Sequence, residues 1–168
     1  MKRFITSILI AFSAMVLVMF SANNVVAIPV ENNSTTSLSA IEEKEESAIP
    51  KLVKVEQISP NQIQISYDRD VDKKLGEKST NYWIQDVMNV TPKGIATLGK
   101  NDKVNVNNSL TDKLVKISPK EDSSKVFVLT FNQNIVKGEQ YKIIICYVTV
   151  EGAPAYNGDN GSAIFIGK

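Results

Sequence analysis

The sequence predicts an all-β domain over residues 50–168, an antiparallel two-sheet sandwich of about seven strands. Three observations carry this expectation. Apolar residues recur with a two-residue period in short runs, Pro, Gly and Asn punctuate those runs, and no helical pattern is long enough to cross over a parallel sheet. Ahead of the domain the composition is different. Residues 1–27 read as a signal peptide and residues 28–49 as a disordered linker.

Lys2 and Arg3 form a basic start, and apolar residues fill 14 of the 17 positions from Phe4 to Phe20. A polar stretch, Ser21 to Asn24, then leads to Val25-Val26-Ala27, whose small and β-branched side chains suit a signal peptidase cutting after Ala27. The alternative is an uncleaved anchor, because Phe4 to Ala22 is just long enough to span a bilayer. The basic start stays inside in both cases, so both readings export the remainder. Glu31 to Ser39 (ENNSTTSLS) and the acidic block Glu42-Glu43-Lys44-Glu45-Glu46 bury too little apolar surface to offset chain entropy. They read as a solvated tether, with a transient helix over Ala40 to Glu46 as the alternative.

From Pro50 the strands follow in order. Val53 and Val55 alternate with Lys54 and Glu56, and Ile63, Ile65 and Tyr67 alternate with Gln62, Gln64 and Ser66. Tyr82-Trp83-Ile84 is a short aromatic strand whose first two side chains point to opposite faces, one inside and one near the rim. Leu114 to Ile117 is stopped by Ser118-Pro119, and Lys125 to Phe131 lines up Phe127, Leu129 and Phe131. Tyr141 to Val150 is nearly all apolar, as a central strand is, and Ser162 to Ile166 closes the set. Only Asp72 to Thr80 has helical character.

Within this series the stretch Tyr67 to Ile84, YDRDVDKKLGEKSTNYWI, resembles a bacterial Ig-like family, the SbsA-like modules of S-layer and other cell-surface proteins. The positions that carry the likeness are Tyr67, Val71-Asp72, Asn81-Tyr82 and, later, Gly138, Tyr141 and Gly152. The turn Glu151-Gly152-Ala153-Pro154 departs from the acidic, Gly-Asn-rich turn usual in the family. The resemblance covers about residues 51–166 and implies an Ig-like sandwich. The residues themselves explain the pattern. Val71 can plug the end of the sandwich, Asp72 can cap a helix beginning near Lys73, and Asn81 can hold a turn through its side chain.

Composition removes several chemistries. The 168 residues carry 19 Lys+Arg against 18 Asp+Glu, a formal charge of +1, with no histidine and one cysteine. Balanced charge argues against a nucleic-acid partner, and removal of the signal turns the net charge slightly negative. Without histidine there is no His-based triad, His-ligated zinc or imidazole base. No catalytic, cofactor or metal residue is assigned, and no cofactor is expected. A copper-handling sandwich would need more than Met88, the one methionine after the signal.

Two residues are candidate ligand contacts, Tyr156 on the tip Asn157-Gly158-Asp159-Asn160-Gly161 and Trp83 as a stacking platform. Core filling is the alternative for Trp83, and a plain connecting loop for the tip. Asp68, Asp70 and Asp72 have an alternate spacing that invites calcium. Lys73 and Ser79 stand where an EF-hand needs Gly and Glu, so a solvated turn with a helix cap is the expected arrangement. Cys146 lies in an apolar run with no base nearby and is expected in the core.

The expected function is an exported, non-enzymatic binding module, secreted or held at the cell surface or wall. Its partner would be protein or cell-wall glycan, with membrane contact only through an uncleaved signal. The alternative is a secreted enzyme inhibitor acting through the loops Val87 to Val106 and Glu151 to Gly161. The Asn-Pro-Thr-Thr-Gly loop of chagasin-type inhibitors is absent.

Overall fold

The computed structural model describes residues 49–168. The expected signal peptide and all but the last residue of the expected linker lie outside the described residues. Seven strands follow in order: β1 (Leu52–Ser59), β2 (Gln62–Tyr67), β3 (Tyr82–Asp86), β4 (Val115–Pro119), β5 (Val126–Phe131), β6 (Gln140–Cys146) and β7 (Asp159–Ile166). A five-residue helix α1 (Lys73–Glu77) joins β2 to β3. Among the described residues no helix is long and apolar enough to cross a membrane.

All strand pairs are antiparallel, in a four-stranded sheet β1-β2-β5-β4 and a three-stranded sheet β3-β6-β7. This is the strand order of the constant-type immunoglobulin sandwich. The two-residue period sets the buried face of each strand directly. Ile63, Ile65 and Tyr67 of β2 turn inward beside Phe127, Leu129 and Phe131 of β5, while Gln62, Gln64 and Ser66 stay at the outer face. Tyr82 and Ile84 of β3, with Tyr141, Ile143 and Ile145 of β6, supply the opposing layer. Each such side chain contributes about 1.5–3 kcal/mol through burial.

Four details differ from the sequence expectation. In β1 a register shift between Leu52 and Lys54 breaks the alternation, so Val53 faces solvent at 62% exposure. A bulge adds a residue, and one added residue reverses the side chains beyond it. The apolar run of β6 stops at Cys146 and not at Val150, because Tyr147 turns into the left-handed region (φ 69°). β7 starts at Asp159, ahead of Ser162, with a register shift opposite Ile145 and Cys146. Finally, Tyr82 and Trp83 do face opposite ways, but both are buried, at 0% and 1% exposure.

Candidate functional site

Trp83 is covered because the chain after β3 folds back along that strand's outer edge. Leu98 forms a bridge with Gln85, Thr97 and Leu98 donate to the Ile84 carbonyl, and Leu110 donates to the Tyr82 carbonyl. The Trp83 indole N–H donates to the Asn105 carbonyl at 2.9 Å, and Tyr147 meets the ring edge-on at 6.1 Å. The ring is therefore packed beneath the segment and offers no open face for stacking.

Asp86 anchors the start of this segment. Its carboxylate accepts from the backbone amides of Met88, Asn89 and Lys93 and from the Asn89 side chain, which also reaches Glu139 at 3.0 Å. Burial opposes its ionisation, but these donors outweigh burial and hold its pKa below the ordinary value. Within Val87 to Val106, Thr97 and Leu98 lie along β3, while Met88, Val90 to Lys93 and Lys100 to Val106 are exposed. The stretch leaves the sandwich at the Asp86 end of the sheet, whereas Glu151 to Gly161 follows Cys146 at the opposite end, as the pairing of Asp86 with Tyr141 and Tyr82 with Ile145 requires.

The acidic triplet does not converge. Asp68 accepts from the Lys51 amide and the Arg69 guanidinium, while the Asp72 side chain caps α1 by accepting from the Leu75 amide. Among the described residues no group of His, Cys, Asp or Glu is arranged to hold a metal ion. Val71 is buried in the core, and the Asn81 side chain donates to the Leu75 carbonyl. Both do the structural work expected of them. At this end the buried hydroxyls of Tyr67 and Tyr82 lie 2.9 Å apart, and Tyr82 donates to the Gly76 carbonyl. Burial raises the pKa of both phenols.

Tyr156 is half-buried at the β6–β7 tip and donates to the Asp159 carbonyl. Its neighbour Asn160 has a role that turn propensity concealed. It is fully buried, donates to the carbonyls of Pro50 and Val148, and accepts from the Val148 amide. Cys146 departs from expectation. It sits half-buried on the outer face of the three-stranded sheet, because odd-numbered Tyr141, Ile143 and Ile145 take the inward positions. Burial, with a smaller effect from Asp159, raises the thiol pKa and so disfavours the reactive thiolate.

The remaining feature is the open side of the sandwich. β1 and β7 are edge strands of different sheets, and they lie side by side without forming a ladder. Between them runs a groove of about 540 Å³, lined by Val55 and Gln57 from one strand and by Ile164, Phe165 and Ile166 from the other. Ile164 and Ile166 are 60% and 52% exposed. No sequence signal singled out this place, because neither edge status nor strand adjacency is written in the local pattern.

No protein-family model matches the chain, and no curated protein matches it. Among solved structures it is similar to the N-terminal part of the bacterial S-layer protein SbsC, at 14% identity and a TM-score of 0.48, covering 71% of this chain and 23% of that one. A longer crystal structure of SbsC aligns at 16% identity and a TM-score of 0.46, over 71% of this chain and 14% of that one. The chain spans less than a quarter of the length of either.

Proposed function

We propose that this chain is an exported, non-enzymatic Ig-like module that works at the cell surface or outside the cell and makes contacts through its exposed surfaces. One observation carries the reading: a constant-type immunoglobulin strand order stands downstream of a secretory-type N-terminus. The step from sandwich to contact module is an argument by analogy of fold. The resemblance of Tyr67 to Ile84 to bacterial surface modules agrees with it. Of the two expected partner classes, protein is favoured over glycan. The covered Trp83 offers a sugar no stacking face, whereas the groove between β1 and β7 is flanked by exposed Ile164 and Ile166.

Fractionation of cells producing the full chain tests this. The expected result is protein in the wall, membrane or medium fraction, beginning at Ile28 where the signal has been cut. Retention in the cytosol, or turnover of a substrate by the purified protein, would overturn the proposal.

A further inference from the structure

β1 is the first strand after the tether expected from the sequence, and it is the least buried of the seven. Every other strand has at least two buried residues. β1 has none: Leu52 and Val55 are half-buried, and Val53 is exposed. Two register shifts also interrupt its ladder with β2, its one partner within a sheet. Apolar burial therefore fastens this strand weakly.

Polar bonds hold its entry instead. The Lys51 amide donates to the Asp68 carboxylate at 2.8 Å, and the Asp68 amide donates to the Lys51 carbonyl at 2.9 Å, which ties the entry to the end of β2. The Asn160 side chain donates to the Pro50 carbonyl at 2.9 Å, which ties the same point to the start of β7. Asn160 is fully buried and bonded both ways to Val148, so this bond is shielded from water and strengthened by the low local dielectric. Two adjacent residues are thus fastened to both sheets. β1 runs in the same direction as β7, because Leu52 abuts Gly161 and Gln57 accepts from the Lys168 amide. Pro50 and Lys168 therefore lie at opposite ends of the sandwich. A pull on residue 49 along this axis loads the β1–β2 bonds together, since ladder bonds lie across the strands. A sideways pull opens them one by one from Leu52. In either direction the bonds at Pro50 and Lys51 meet the load first.

We infer that the fastening of Pro50 and Lys51 by Asn160 and Asp68 is a tension clamp, which keeps β1 on the sandwich when the chain ahead of residue 49 is drawn taut against a contact the module makes. This rests on the reading of the chain as an exported contact module behind a tether, and adds how that module bears load. The clamp stands where β1 begins and binds through side chains of the two strands that flank it, so β1 cannot leave either sheet until those bonds break.

The test draws the full chain at constant load between its N-terminal end and Lys168 and reads the lifetime of the folded domain, which under force follows the unfolding rate. Asn160→Ala removes the bond to Pro50, and Asp68→Ala removes the acceptor of the Lys51 amide. Each is expected to shorten the lifetime about tenfold. Moving the first attachment to exposed Lys125 draws on β5 instead of β1 from the same end of the sandwich, since the Tyr67 amide donates to the Lys125 carbonyl next to Asp68. In that attachment both variants are expected to lose much less. Equal shortening in the two attachments would make Asp68 and Asn160 ordinary stabilising residues, and unchanged lifetimes would show that the entry bears no load; either result overturns the inference. If one variant fails to fold, the other carries the comparison. A protein that fractionates outside the cytosol but whose variants do not distinguish the attachments defeats this inference alone, whereas cytosolic retention defeats the underlying reading.

Discussion

Single side chains at the joints of the sandwich carry consequences larger than their size. Gly76 of α1 packs on the Phe127 ring so closely that a Cβ there would sit 2.5 Å from the ring. Gly76→Ala is expected to destabilise the domain by about 1–3 kcal/mol in urea unfolding, because the ring is buried and has nowhere to retreat. Asn160→Ala would leave the Val148 amide and two carbonyls without partners, and a loss of about 1–3 kcal/mol is expected in the same assay. The two Asn-Gly pairs of the tip should also age differently. The exposed Asn157 side chain and the Gly158 amide make no hydrogen bond among the described residues, so that amide is able to attack the side-chain carbonyl and release ammonia. Asn160 is held by three bonds, and the Gly161 amide donates to Asp159. Peptide mapping after incubation at mildly alkaline pH should find the conversion of amide to carboxylate at residue 157 and an intact residue 160. The reverse order would contradict the hydrogen bonding described.

At the scale of elements, the segment between β3 and β4 behaves as an edge guard. It closes the outer edge of β3 and buries Trp83, and its first turn depends on one carboxylate. Asp86→Ala should strip the acceptor from three backbone amides and cost about 3 kcal/mol. The specific signature is in Trp83, whose emission should shift to longer wavelength and become open to quenchers while the rest of the sandwich still unfolds cooperatively. Unchanged emission in a folded variant would show that the segment holds without Asp86. Periodicity, an aromatic run and a continuous apolar run together located all seven strands, yet they gave no hint that residues Thr97 and Leu98 lie along β3. The segment's contacts run through backbone groups, the Trp83 and Gln85 side chains and the widely spaced core residues Ile95, Leu98 and Leu110, and such contacts leave no hydrophobic period. β1 shows the converse, since Val53 has the right residue type and spacing but a bulge turns it outward.

For the whole molecule, acid stability follows from carboxylates held low in the folded state. Asp68 lies at about 2 against an ordinary 3.8, chiefly through the Arg69 guanidinium; partial burial opposes this, and the Lys51 amide adds to it. A folded-state pKa below the unfolded one means that the unfolded chain binds more protons. The stabilisation is complete above 3.8 and is lost as pH falls towards about 2. Asp86 has the same sign. Asp68→Asn should therefore flatten the acid limb of a stability profile in that window and lower stability at neutral pH. A parallel downward shift at every pH would show that the charge of Asp68 is not what matters. Since Asp68 fastens the start of β1 to the end of β2, the loss should appear as loosening of that strand.

Local residue patterns alone were enough to set the class of fold and several of its joints. A two-residue apolar period produces half-buried strands wherever it occurs, and Asp72 and Asn81 act within a few residues of their partner Leu75, so their roles are local. Tertiary structure decided which strand edges stay open, that Trp83 is covered, that Asn160 binds Pro50 and Val148 across the chain, and that Cys146 faces outward. Those outcomes depend on which distant segments come to lie side by side and on one-residue shifts of register, which only the closed sandwich fixes.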